Sequence, residues 1–300
     1  MPLPAFQSAP ARPFLKWAGG KGQLIAQYQP YFPSNFKTYH EPFLGGGAVF
    51  FHLAERLGTA ILMDINPELV NVYRCIRDQV EAVIELLKHH KQNHCKDYYY
   101  QIRSTPGASA VERAARLIYL NKTCYNGLYR ENSKGQFNVP MGRYKNPRIC
   151  DADLLRRAAA TLKPTQIVAG SFNQILEHAT GAEDFVYLDP PYHPISETSC
   201  FTAYSRYSFG AHDQETLQQV FRQLAARQVR VMLSNSDCPF IRHLYGDFYI
   251  HRIQATRNIN SKAQRRGHIS ELLITSYPVA SECCQQLSCQ SVPSTAIAAI

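Results

Sequence analysis

Five short runs rich in apolar and aromatic residues, each stopped by an acid, glycines or a polar cluster, constrain this chain more than any other feature. In order they open "KTYHEPFLGGG", "AILMDINPELV", "TQIVAGSFNQIL", "FVYLDPPY" and "VRVMLSNSD". Runs this short and continuous suit strands buried on both faces, the condition of a parallel sheet. Helical patterns follow the late runs, as in "AHDQETLQQVFRQLAARQ", where residues 211–213 form the cap region. The predicted fold class is α/β with βαβ connectivity. Ligands of such sheets lie just beyond the carboxyl ends of the strands.

Residues 76–160 interrupt that pattern. "DQVEAVIELLKHHKQN" and "SAVERAARLIYLNKTC" are helical in period, and "YNGLYRENSKGQFNVPMGRYKNPRI" is punctuated by Gly, Asn and Pro and dense in Lys, Arg and Tyr. A lid or a recognition module inserted into a catalytic domain fits such a segment. The expected organisation is a discontinuous catalytic domain over 13–75 and 161–277, the insert over 76–160, and loose ends at 1–12 and 278–300. No run approaches the ~20 apolar residues of a membrane span, and the first residues lack a secretory pattern, so a cytoplasmic protein is expected. The chain carries a net charge of +9 and 18 Tyr, which favours a polyanionic partner that is also stacked upon. Its nine Cys form no CxxC pair and its 11 His no HExxH spacing, so no metal is expected. "KHHKQNH" reads as a solvated helix face.

The run "FVYLDPPY" ends on a stiff corner. Pro190 and Pro191 lack N–H groups and fix φ, so the strand cannot continue, and the corner presents the Asp189 carboxylate, free carbonyls and the face of Tyr192. Such a corner suits a flat, polar, weakly nucleophilic group. Earlier, "EPFLGGGAVFF" places Gly45 and Gly47 in a turn before a helix, where the backbone can approach a ligand closely. Asp64 follows about twenty residues on, at the end of the next strand, where an acid can accept both ribose hydroxyls. A glycine loop without phosphate-binding Lys or Ser, joined to a ribose acid, favours S-adenosylmethionine as cofactor.

"FLKWAGGK", "EPFLGGGAVFF", "MDINPELVNVY", "LNKTCYNGLYRENSKGQFNVPMGRYKNP", "DPPY", "FTAYSRYSF" and "LSNSD" occur in this order across residues 13–277. In that order the chain resembles the Dam-like, N6-adenine-specific DNA methyltransferases. The resemblance implies a Rossmann-like methyltransferase sheet of seven strands with an inserted, mainly helical target-recognition domain. It implies Trp17, Lys21, Glu41, Phe43, Gly45, Gly47, Asp64 and Asp189 as cofactor contacts, and Asp189, Pro190, Pro191 and Tyr192 as the catalytic corner. By matching positions, Lys16, Tyr125, Asn126, Leu128, Arg130, Pro140 and Tyr144 contact double-stranded DNA, and the site expected is GATC. Arg130 is the residue type that grips guanine with two hydrogen bonds, and Leu128 and Pro140 are the apolar kind that touch a thymine methyl. Thr123-Cys124 departs from the family's common pattern and is shared with readers of longer sites. The expected enzyme is a monomer that flips its adenine into the corner. The alternatives are a relative reading a longer or different GAT-containing site, an N-methyltransferase of RNA or protein, and a DNA-binding protein without catalysis.

Overall fold

A computed structural model describes residues 10–195, 209–256 and 268–279. Each of the five runs forms a strand: β1 (Thr38–Glu41), β2 (Thr59–Asp64), β3 (Thr165–Ala169), β4 (Asp184–Leu188) and β5 (Arg230–Ser236). Two more, β6 (Tyr249–Thr256) and β7 (His268–Thr275), complete a sheet of order β3-β2-β1-β4-β5-β7-β6. The first five strands are parallel, and β7 runs antiparallel between β5 and β6. This is the seven-stranded, Rossmann-like sheet that the resemblance implies. Strand order reverses between β1 and β4, whose carboxyl ends therefore border the crevice where ligands of open α/β sheets bind.

Both faces of the sheet are buried, as the continuous runs require. Along β4, Phe185 and Tyr187 enter one core while Val186 and Leu188 enter the other. The period of two also sends Met232 of β5 to the first core and Val231 and Leu233 to the second. The helices, in chain order, are α1 (Ile25–Tyr28), α2 (Ala48–Leu53), α3 (Pro67–Gln92), α4 (Lys96–Ser104), α5 (Ala110–Thr123), α6 (Ala152–Leu162), α7 (Ile175–His178), α8 (Ala211–Ala226) and α9 (Pro239–Leu244). Helices α7, α8 and α9 cover the second core through Ile175, Leu217, Phe221, Leu224 and Ile241. The cap of α8 is as read, since Asp213 accepts a hydrogen bond from the Gly210 N–H at 2.8 Å. None of the described helices is long and apolar enough to cross a membrane.

The first core joins the sheet to the helical segment. Helix α3 starts where Asn66 caps Glu68 and Leu69 and Pro67 sets the first helical φ. Its buried Leu69, Val70, Tyr73, Ile76, Val83, Ile84 and Leu87 recur at three- and four-residue spacing, and α5 and α6 pack along them. Removing the side chain of one such residue, Leu87→Ala for instance, would cost about 2–5 kcal/mol. Residue 76, the expected start of the insert, lies inside α3, just before Gln79 interrupts the helical dihedrals at φ −139° and ψ 39°. One helix thus serves both sheet and insert.

One expectation needs correction. The "KHHKQNH" face is not wholly solvated, because His90 is buried, its Nδ1 meets Tyr98 Oη at 2.7 Å and its ring stacks on Tyr119. Burial lowers the His90 pKa to about 4, so the ring packs as a neutral group. The expected loose ends fall mostly outside the described residues, as does most of "FTAYSRYSF".

Candidate active site

The crevice between β1 and β4 gathers residues from every part of the chain. Asp189 stands at the end of β4, its Oδ1 taking Lys21 Nζ at 2.7 Å and the Ser234 hydroxyl at 2.8 Å. Lys21 is almost fully buried, and its ammonium also donates to the Gly19 carbonyl and lies 4.8 Å from the Tyr192 ring centre. Among the described residues, nothing donates to Asp189 Oδ2 or to the Pro190 carbonyl. Among the described residues, the corner therefore presents two acceptors without a donor on a fixed frame. Tyr192 Oη donates to Glu271 Oε2 at 2.8 Å, which anchors the ring from β7. Burial raises the Glu271 carboxyl and the Tyr192 phenol above their ordinary ranges, so the tyrosine remains a neutral donor.

The glycine loop closes the other side of the crevice. Gly45 and Gly47 have φ of +47° and +66°, conformations that glycine adopts freely, and Gly47 is the cap of α2. A Cβ on Gly45 would fall 2.8 Å from Trp17 Cδ1, so the indole lies directly against the loop backbone. Trp17 also stacks on Tyr129 at 5.4 Å, between loop and insert. Asp64 accepts the Gly45 N–H at 3.0 Å through Oδ2 and the Asn66 N–H at 2.9 Å through Oδ1, which leaves lone pairs on both oxygens. Burial pushes its carboxyl up to about 6, against the pull of those N–H groups. Beside it, Ile65 is 47% exposed. Phe43 stacks on Phe172 at 5.4 Å and meets the edge of Phe209. Glu41 sits behind the loop, buried, with Oε2 taking the Tyr39 hydroxyl and the Phe50 N–H. Burial raises it to about 8, with Asp189 adding to the effect while Tyr39 and Phe50 oppose it.

These donors and acceptors fit S-adenosylmethionine. Asp64 can accept hydroxyls, the exposed Ile65 and the Phe43 cluster offer apolar faces to a purine, and a Cβ would fill the cradle at Gly45. Among the described residues no group of His, Cys, Asp and Glu is placed to hold a metal ion.

The seven expected DNA residues, six from the insert and Lys16 from the segment before β1, come to one region. Buried Asn121 accepts the Lys16 N–H at 2.8 Å and donates to the carbonyls of Lys16 and Gly127, pinning the two segments together. Lys16 Nζ lies 4.2 Å from the Tyr144 ring centre, and the Tyr125 N–H donates to the Pro140 carbonyl. Tyr125 is 53% exposed, and its neighbour Asn126 is in the left-handed region at φ 54°. Leu128 is half-buried. Arg130 Nε donates to Asn138 Oδ1 at 2.6 Å, which aims the guanidinium and leaves Nη1 outside that pair. Nearby, Arg12, Lys122 and Arg148 line a basic cleft with Asp151. Burial and the neighbouring Lys16 bring Lys122 down to about 8.

Sequence reading missed Ser234, Glu271, Asn121, Asn138, Tyr129 and Lys122. "LSNSD" carries no residue-level role in the resemblance, although a polar triplet closing an apolar strand is a usable signal for Ser234. Glu271 lay in a strand that was not read.

The D12 class N6 adenine-specific DNA methyltransferase family matches residues 17–259. The chain is 46% identical over 274 residues to the type II methyltransferase M1.LlaDCHI of Lactococcus lactis subsp. cremoris, covering 89% of this chain and 95% of the relative. It is 42% identical to the type II methyltransferase M.MjaIII of Methanocaldococcus jannaschii, covering 89% and 99%. To the DNA adenine methylase of Escherichia coli K12 it is 36% identical, covering 87% and 94%.

Proposed function

The chain belongs to the D12 class N6 adenine-specific DNA methyltransferases, and from that premise we propose that it methylates N6 of an adenine flipped out of duplex DNA, within GATC. The methyl donor of the class is S-adenosylmethionine, which when bound supplies an electrophilic methyl group on a sulfonium. Trp17, Lys21, Phe43, Gly45, Gly47 and Asp64 would hold it, Asp64 as the acceptor for ribose hydroxyls, and Glu41 supports the glycine loop through the Phe50 N–H.

The observation that carries this reading is the pair of acceptors at the corner, Asp189 Oδ2 and the Pro190 carbonyl, which take no donor among the described residues. The adenine N6 lone pair is delocalised into the ring, so the amine is a poor nucleophile. Two acceptors, one for each N6 hydrogen, orient the amine and favour a tetrahedral nitrogen whose lone pair faces the methyl group. Lys21 and Ser234 keep Asp189 Oδ1 occupied, so the carboxylate cannot swing away. Tyr192, anchored by Glu271, stacks on the base. With the donor bound, the amine so held would take the methyl group in exchange for the sulfur, and the surplus N6 proton would leave to water. A base inside a duplex cannot reach this corner, so it must be extruded.

For sequence choice, Lys16, Leu128, Arg130, Pro140 and Tyr144 read the base edges, while Tyr125 and Asn126 fill the gap. One chain carries corner and readers, so a monomer suffices, and its substrate places it in the cytoplasm. A second reading, a longer or different GAT-containing site, is favoured by Thr123-Cys124. Labelled S-adenosylmethionine, purified protein and duplexes carrying each single substitution in and around GATC test both. Methylation of every GATC duplex, with protection from a methylation-sensitive GATC cutter, supports the first reading. Dependence on a flanking base moves the assignment to the second.

A further inference from the structure

Tyr192 is bracketed by Pro191 and His193, whose backbone groups at the corner cannot enter a strand ladder. Three buried polar side chains meet them instead. Gln214 of α8 donates from Nε2 to the Pro191 carbonyl at 2.9 Å. Asn235 of β5 accepts the His193 N–H at 3.1 Å and the Ser236 N–H at 2.8 Å, both at Oδ1. Its Nδ2 donates to Gln214 Oε1 at 3.0 Å, and the Ser236 hydroxyl donates to the His193 carbonyl at 2.7 Å. Gln214 and Asn235 are both 0% exposed, so no water competes for these groups.

The relay has only one consistent direction. Two backbone N–H groups face Asn235 on one side, so its oxygen must lie there and its amine must face Gln214. Gln214 must then turn its oxygen to Asn235, which leaves its amine for Pro191, a carbonyl that can only accept. The amide orientations are thus set by chemistry, and every buried polar atom in the chain of contacts has a partner of the right sense.

We propose that Gln214 and Asn235 are positioning residues for methyl transfer, a directional amide relay that fixes the backbone on both sides of Tyr192 and so sets the aim of Tyr192 and the Pro190 carbonyl. Neither touches DNA or cofactor; both act through the corner. This rests on the corner being the transfer site.

The test is Gln214→Glu, which keeps size and shape. An ionised Glu turns an acceptor toward the Pro191 carbonyl, whereas a protonated Glu donates there and still accepts from Asn235. Burial raises the pKa of such a carboxyl above its usual ~4.3, so the relay is restored within the working range as pH falls. Among the described residues, the titratable groups nearby are His212, Asp213 and Glu215 on α8, Asp189, Tyr192 and His193 on the corner, Asp237 and Cys238 after β5, Glu271 on β7, and Lys21. All are present in the parent, so the ratio of variant to parent turnover isolates residue 214.

Near pH 8.5 the variant kcat should fall about tenfold, the size of one buried hydrogen bond left unmade, with both KM values within about twofold of the parent. The ratio should climb back as pH falls toward about 6. Asn235→Asp should give a rescue of the same sign, and it carries the test if the first variant does not fold. A ratio flat with pH, or a loss confined to KM, would overturn the proposal. An inactive parent would instead remove the reading of the corner itself.

Discussion

Gly45→Ala should weaken cofactor binding through Trp17. The residue sits at φ +47°, and holding an alanine in the left-handed region costs about 1–2 kcal/mol. The new Cβ would also lie 2.8 Å from Trp17 Cδ1 and 3.1 Å from Nε1. The indole cannot simply retreat, because Tyr129 stacks against it, so overpacking adds about 1–3 kcal/mol. Nor can the loop move freely, since Gly45 N–H is bonded to Asp64 and its carbonyl to the Tyr73 hydroxyl. Part of the cost appears as lost stability and part as a cradle held open. We expect the Kd for S-adenosylmethionine to rise about 10- to 100-fold, equivalent to about 1.4–2.8 kcal/mol. Trp17 is the single tryptophan of the chain, so its emission reports binding and ring displacement directly. Gly46→Ala, whose Cβ would stand 3.3 Å from Trp17 Cβ, should do less, and Gly22→Ala, with nothing within 4 Å, should do nothing. An unchanged Kd and emission in Gly45→Ala, or equal damage from all three, would refute the reasoning.

Asp189→Ala should keep DNA binding and lose methyl transfer, because one N6 acceptor is gone and Lys21 is left buried without its partner; turnover above a few per cent of the parent would contradict this. Arg130→Ala should cost about 1–3 kcal/mol at one base pair with the salt slope unchanged, whereas equal loss on every duplex with a shallower slope would make it a phosphate contact. Asn138→Ala, which frees the Arg130 guanidinium, should relax the same base pair less. Glu41, raised from 4.5 to about 8, lowers stability as pH climbs, because the unfolded chain ionises first. That contribution is fully present below about pH 4.5 and lost through about pH 8, so Glu41→Gln should flatten the denaturation midpoint across this window, and an unaltered profile would place its charge elsewhere.

Five strands, the rigid corner and the glycine loop were legible in the sequence because each depends on near neighbours. Apolar continuity, missing proline N–H groups and glycine φ freedom act over a few residues. The β6 and β7 strands are not legible because polar residues break their apolar runs and their pairing is antiparallel, with each other and with β5. Gln214 fitted a helical pattern without distinction. Only the tertiary structure buried it and faced it toward the corner. The same holds for Lys21 against Asp189, and for Asn121, which ties Lys16 to the insert across 105 residues. The sequence by itself determined which segments become strands and which groups could do chemistry. Folding decided which polar groups meet, because a donor chooses its acceptor only after water has been excluded and the chain has closed around both.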